Sequence, residues 1–358
     1  MPTALNYDQF IVRGLDRARR KFALEETVDL ESLRMVIFSD HHRGAKTGAD
    51  DFAECEDTYR AALDHYLGEG HRLVLLGDVE ELWECSPKSV IDAYADTLRL
   101  EQKFHQTGGY TRIYGNHDDV WTTPWKMKMH LEPFICDHTG CGVILEALTL
   151  KLTSGAREVG EIFLTHGHQG TPDSDRFAPF SRFLVRYVWR PVQRMLKIRS
   201  NTPSQDYDLR LQHEIAMSRW ATGQSGMLLI TGHTHHPVFP QRHSDDRVSQ
   251  QLEELRARIE KRGLAPEERM RIKDEIGLME ATVRRQEFQP ERGVRETAGA
   301  PRPCYFNTGC CSFSDGDITG IEIADGEIRL VRWSALMNDH VSRRVIRQAN
   351  LEELFEAE

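Results

Sequence analysis

Five times in this chain a short apolar run breaks into a loop that carries Asp, Asn or His. The loops are Ser39-Asp40-His41-His42, Gly77-Asp78-Val79-Glu80-Glu81, Gly115-Asn116-His117-Asp118-Asp119, Thr165-His166-Gly167-His168 and Thr231-Gly232-His233-Thr234-His235-His236. The runs before them (residues 35–38, 73–76, 111–114, 162–164 and 227–230) have the length and apolar character of buried strands. Gly77 lets the backbone turn sharply where its strand ends, and open α/β sheets keep their sites at such strand ends. A single histidine of this kind is most simply a hydrogen-bonded loop residue. Five such steps in one chain constrain fold and chemistry together.

Helices separate the strands. Residues 53–67 and 90–106 carry apolar positions at helical spacing, so 35–38 and 73–76 form a β-α-β unit with parallel strands and a right-handed crossover. Phe10, Ile11, Leu15, Ala18 and Phe22 predict a packing helix over 8–26. Residues 318–323 and 327–333, joined by Asp325-Gly326, predict a hairpin.

Donors two apart on an extended turn can reach one ion, whereas consecutive residues point apart. Asp40 and His42 are therefore candidates for one metal, with His235 the same donor type from another loop. Asn116, His166 and His233 form a second set. Asp78, with two carboxylate oxygens, can bridge cations held about 3.5–4 Å apart. The donors are imidazole, carboxylate and amide oxygen without thiolate, which favours Mn, Fe or Zn.

In this order the motifs resemble the calcineurin-like metallophosphoesterase superfamily: Asp-x-His, Gly-Asp-x-x-(Asp/Glu), Gly-Asn-His-(Asp/Glu), a lone His near a Gly, and Gly-His-x-His. The resemblance runs from about Arg34 to Pro237 and resumes at Tyr305-Phe306-Asn307-Thr308-Gly309, the return strand beside the site. It implies an α/β fold, a four-layer α/β/β/α sandwich, here one domain over 1–358 with helical insertions. It also implies two divalent metal ions, one held by Asp40, His42, Asp78 and His235, the other by Asp78, Asn116, His166 and His233. His168 would then line the pocket.

The implied activity is phosphoester hydrolysis, in which two cations acidify a shared water for in-line attack on phosphorus and neutralise the phosphoryl oxygens. His117 would protonate the leaving group, its tautomer fixed by Asp118. A phosphodiesterase or pyrophosphohydrolase is the first expectation, and a phosphomonoesterase or protein phosphatase the second. A metal-free interaction scaffold on the same fold is an alternative of another class. Gly77-Asp78-Val79-Glu80-Glu81-Leu82-Trp83 with a basic insertion is also similar to UDP-2,3-diacylglucosamine diphosphatases, which typically carry Arg at the position of His117.

Two insertions stand out. In 171–225, seven cations between Arg176 and Arg199 occur without an acidic residue, in a chain of net charge −10. Phe177, Phe180, Phe183, Tyr187 and Trp189 interleave with them, so the segment is expected to cap the site, with Arg182 and Arg186, together with Arg43, meeting substrate. A basic, aromatic helix also suits a membrane surface. Residues 245–289 predict a helical hairpin, a structural arm or one that pairs two copies. The acidic balance argues against a stable nucleic-acid partner. Seven cysteines without paired spacing, no signal-peptide pattern in 1–8, and no apolar run near the roughly 20 residues of a membrane span give a cytoplasmic expectation. Cys310-Cys311 is read as buried thiols near the site.

Overall fold

The structure is a computed structural model that describes residues 4–48, 50–137, 140–141, 144–170, 207–240, 255, 258–259, 266–287, 304–335 and 341–356. It is a mixed α/β protein with two principal sheets and helices. Its strands are β1 Ala23–Asp29, β2 Met35–Phe38, β3 Arg72–Leu76, β4 Tyr110–Ile113, β5 Cys136–Asp137, β6 Gly140–Cys141, β7 Ile144–Leu145, β8 Ala147–Ser154, β9 Arg157–Thr165, β10 Met227–Thr231, β11 Tyr305–Asn307, β12 Ile318–Ala324, β13 Glu327–Ala335 and β14 Val341–Asn350. One sheet has the order β14-β13-β12-β2-β3-β4-β7, the other β1-β8-β9-β10-β11.

The parallel unit is present. β2 pairs parallel with β3 and β3 with β4, joined through the helices Glu56–Gly68, Pro87–Ala93 and Ala95–Gln106. The single helix expected over 90–106 is thus two, broken at Tyr94. In the second sheet β9, β10 and β11 run parallel. The Asp325-Gly326 turn joins β12 and β13 antiparallel, with φ of 55° and 75° at its two residues.

Side-chain alternation along β2 divides the core. Met35 and Ile37 join a cluster with Val74, Leu76 and Ile113 that also takes Leu148, Leu150, Ile162, Leu164, Leu228 and Ile230 from the other sheet. Val36 and Phe38 join Leu73, Leu75, Tyr59, Leu63, Tyr66, Leu98 and Phe104 against the helices. This is the period-2 consequence of a pleated strand buried on both faces.

Three expectations need correction or placement. The helix predicted over 8–26 stops early: Ala4–Arg17 is helical, a π turn covers Ala18–Phe22, and the chain then extends into β1, pairing parallel with β8. Long-range strand pairing overrides the helical spacing there. Of its stripe, Ile11, Leu15 and Ala18 are buried, whereas Phe10 and Phe22 are exposed. The returning half of the predicted hairpin is the helix Pro266–Glu287. Asp274 engages Arg332 and Arg344, and Glu275 lies 3.5 Å from Arg347, so this helix is tied to β13 and β14 of its own chain. Residues 171–206, including Arg182 and Arg186, and most of 241–265 lie outside the described residues. No helix among the described residues is long and apolar enough to cross a membrane.

Candidate metal centre

All five loops lie at the carboxyl ends of strands: Asp40 and His42 after β2, Asp78 after β3, Asn116 after β4, His166 after β9, His233 and His235 after β10. The first two loops are zipped together by backbone bonds from Asp40 N to Gly77 O (3.1 Å) and His42 N to Asp78 O (3.0 Å). The backbone conformation is unusual at the donors themselves. Asp40, His42, Asp78, His233 and His235 have φ between 50° and 71°, five of the seven non-glycine residues of positive φ among the described residues. Such conformations are sparsely populated and persist only where surroundings impose them. Here they aim side chains inward from tight turns.

The motif glycines are set by contact. A Cβ at Gly115 would collide with the Asp78 carboxylate, and one at Gly232 with Asp40 and Ser39. Each loop can approach its neighbour's carboxylate only through a residue without a side chain.

Three donor clusters result: Asp40, His42 and His235; Asp78, His166 and His233; and His42, Glu81 and His117. Within each, the donor atoms lie within 4.8 Å of one another. His235 Nε2 is 3.3 Å from Asp40 Oδ1 and 3.0 Å from His42 Nε2. Asp78 Oδ2 stands between the first two clusters, 3.1 Å from His166 Nε2 and 3.9 Å from His42 Nε2. Asn116 Oδ1 and Asp40 Oδ1 are buried without a hydrogen bond. Buried polar atoms are nearly always satisfied, so lone pairs converging without donors fit a cation.

Neighbouring groups orient these donors. His166 Nδ1 donates to Leu76 O (2.8 Å) and His42 Nδ1 faces Glu81 Oε2 (3.1 Å), which leaves each Nε2 lone pair toward the centre. Asp40 Oδ2 accepts from Ser39 Oγ and from His233 N, the latter at 2.9 Å. Asp78 Oδ1 accepts from His117 N at 2.8 Å. Burial opposes charge on Asp78, yet His166 and His117 hold its carboxyl well below the usual range. Burial likewise opposes positive charge on His166, and Asp78 overcomes it, raising that imidazole to about 9; a cation at Nε2 would take the place of that proton. His233 is driven well below its ordinary value by burial and by His166, and so stays a neutral donor.

Of the middle residues, His41 turns away and packs edge-on to Tyr59, ring centroids 4.7 Å apart. Thr234 donates to Glu214 Oε1 at 3.1 Å. His168 is buried beside His166, centroids 5.3 Å apart, and burial with the His166 charge depresses it to about 3.

Two roles read from sequence are corrected. Asp118 does not orient His117. Its carboxylate accepts from Gly115 N (2.6 Å) and Val79 N (2.9 Å), tying the third loop to the second. The partner of His117 is Glu81, with Oε2 2.6 Å from His117 Nδ1. Burial would depress His117, but Glu81 and Asp78 raise it to about 10. Burial would raise Glu81, but His117 and His42 hold it at about 2. Arg43, read as a substrate contact, is fully buried, paired with Glu101, and lies 5.0 Å over the Phe52 ring. With Arg112 on Glu80 it forms an ionic floor under the loops.

Sequence reasoning gave no role to Glu81, Trp83 or His213. Glu81 stood third after Asp78 in the Gly-Asp-x-x-Glu pattern, which was its signal. Trp83 stacks on His117, centroids 4.3 Å apart and planes 14° apart, while its indole N–H donates to Asn116 O at 2.6 Å. His213, from the helix Tyr207–Thr222, bonds Gly167 O at 2.8 Å and places its ring 5.3 Å from His233. Nothing local in sequence marks it.

Fold and site together define an α/β protein with two adjoining His/Asp clusters that could hold metal. No family profile and no curated protein matches the chain. Among solved structures it is similar to vacuolar protein sorting 29 from Cryptosporidium parvum, at 13% identity and a TM-score of 0.35, over 89% of this chain and 98% of that one. A single mutant of the same protein from Entamoeba histolytica gives 13% identity and a TM-score of 0.29, over 87% and 99%. Likeness at that level carries no conclusion for this chain.

Proposed function

We propose that this chain is a dinuclear metal-dependent phosphoesterase with the four-layer sandwich of the calcineurin-like superfamily, acting on a phosphodiester or pyrophosphate. The observation that carries the reading is the position of Asp78 Oδ2 between the two clusters, 3.1 Å from His166 Nε2 and 3.9 Å from His42 Nε2. One carboxylate shared by two His/Asp sets is what a pair of cations requires. Asp40, His42, Asp78 and His235 would hold one ion, and Asp78, Asn116, His166 and His233 the other. The oxygen and imidazole donors suit Mn, Fe or Zn.

Such a pair supplies Lewis acidity toward an attacking water and toward charge building on the phosphoryl oxygens. The protein's own part is proton control. Glu81, ionised between two imidazoles, favours a proton on His117 Nδ1 and leaves Nε2–H to donate to a departing oxygen. Trp83 limits rotation of the His117 ring by stacking and ties that ring's position to the Asn116 loop. Asp118 keeps the Gly77 and Gly115 turns together. The preference for a diester or pyrophosphate rests on the basic, aromatic sequence of 171–225, which offers a place for a second substrate group.

The test is hydrolysis of nitrophenyl phosphate mono- and diesters by purified protein loaded with Mn. Turnover of the diester well above that of the monoester is expected. A monoester preference would replace the diesterase reading, and inactivity toward both with two metals bound would favour a binding scaffold.

A further inference from the structure

The exposed side of the N-terminal helix carries a surface that the metal centre does not use. Ile11, Gly14, Leu15 and Ala18 face inward, and Gly14 packs on the Gln169–Gly170 backbone just past His168. At about 100° per residue, Arg13 falls on the opposite side, with Phe10 and Arg17 on one flank, and Arg20 and Lys21 follow in the π turn. Arg13, Arg17, Arg20 and Lys21 are exposed. Phe10 is 43% exposed, and Phe22 and Leu24, where the helix gives way to edge strand β1, are 47% and 46% exposed.

The helix's acids are engaged by side chains of another helix. Asp8 is held by Arg219 (2.8 Å) and Asp16 by the Trp220 indole N–H (3.0 Å), both toward the helix Tyr207–Thr222. Arg19 is also consumed internally, on Glu161 and Gln224 at 2.7 Å each. Arg17 lies 3.9 Å from Glu146 and 5.8 Å over the Phe22 ring. Arg13, Arg20 and Lys21 make no ion pair among the described residues. Beyond the turn, Glu25 is engaged by Lys151 at 2.7 Å. Asp8, Asp16 and Glu25 are thus each engaged by a partner elsewhere in the fold, in a chain whose net charge is −10.

Exposed aromatic and aliphatic side chains set among exposed cations match an anionic bilayer: cations meet headgroup phosphates while apolar side chains enter the acyl boundary. A nucleic-acid backbone would reward the cations and leave Phe10, Phe22 and Leu24 exposed to water. We propose that this face docks the protein on an anionic phospholipid surface. Because the helix's inner side rests on the loop after His168, docking would bring that side of the metal centre toward the lipid. The proposal stands independently of the reaction assigned to that centre.

Cosedimentation of the full chain with vesicles tests it, using phosphatidylcholine alone and mixed with phosphatidylglycerol. Wild type should pellet with the mixed vesicles and remain in solution with phosphatidylcholine alone. Arg13→Gln/Arg20→Gln/Lys21→Gln should lower partitioning about a hundredfold, three cations each contributing near an anionic surface. Phe10→Ser/Phe22→Ser should lower it at least about tenfold through lost insertion. Both variants should keep the wild-type melting temperature. Wild-type partitioning by either variant would overturn the proposal, as would equal binding to both vesicle types. Binding of an oligonucleotide through the three cations without vesicle binding would overturn it too.

Discussion

In the proposed reaction Glu81 is the residue on which proton control turns, because one carboxylate oxygen faces both His42 Nδ1 and His117 Nδ1. Glu81→Gln keeps the shape and removes the charge that holds His117 protonated. Loss of such an orienting group lowers metal affinity or activity by roughly 10–100-fold, measurable as both kcat and metal content. His117→Ala should cost about 10²–10⁴-fold with poorly acidic leaving groups and far less with nitrophenolate. Because the two residues act as a unit in proton transfer, Glu81→Gln in the His117→Ala background should add little to the rate loss per metal-loaded chain. Fully additive losses would separate their roles. Sequence spacing made the donor residues legible because each had to follow a strand end. It could not tell which carboxylate faces His117. Asp118 is adjacent in the chain, but its side chain is drawn to the Gly115 and Val79 amides, whereas Glu81 arrives from another loop.

At the scale of elements, the strands delivering donors were legible because they are short apolar runs buried on both faces, as in β2, β3 and β10. β14 was not, since it carries Arg343, Arg344 and Arg347 and takes its partners from distant positions: Glu322, Asp274 and Glu275. β1 was concealed by helical spacing that ends where parallel pairing with β8 begins. Arg43 shows the same limit, because an arginine beside a candidate metal ligand looks like a substrate contact until its burial against Glu101 is known. Removing it strands that carboxylate. Arg43→Met should therefore destabilise the fold by about 3–5 kcal/mol, the usual cost of breaking a buried pair, measured by urea denaturation. Adding Glu101→Gln should recover part of the loss, and no recovery would mean that the arginine's packing on Phe52 and Tyr59 matters more than its charge. Trp83→Phe tests the brace between loops: it keeps the stack on His117 and loses the bond to Asn116 O. It should retain more activity than Trp83→Ala, and equal losses would place the whole contribution in the hydrogen bond.

Across the whole molecule, the two sheets meet so that β2, β3 and β4 from one, and β9 and β10 from the other, end at a common point. Ions held there would stitch both sheets together. Binding to the folded state alone stabilises it by mass action, about 2.7 kcal/mol at a hundredfold excess over Kd. Chelator-treated protein should accordingly melt lower than metal-loaded protein, and Asp78→Asn should erase most of that difference. The most direct measurement is a titration of chelator-treated protein with Mn, following bound metal per chain and hydrolysis of bis(4-nitrophenyl) phosphate in the same samples. The account predicts a rate that rises to its plateau as two ions bind, and an Asp78→Asn variant that neither holds the pair nor turns over. Full occupancy by two ions with no turnover, or turnover undiminished in Asp78→Asn, would contradict it.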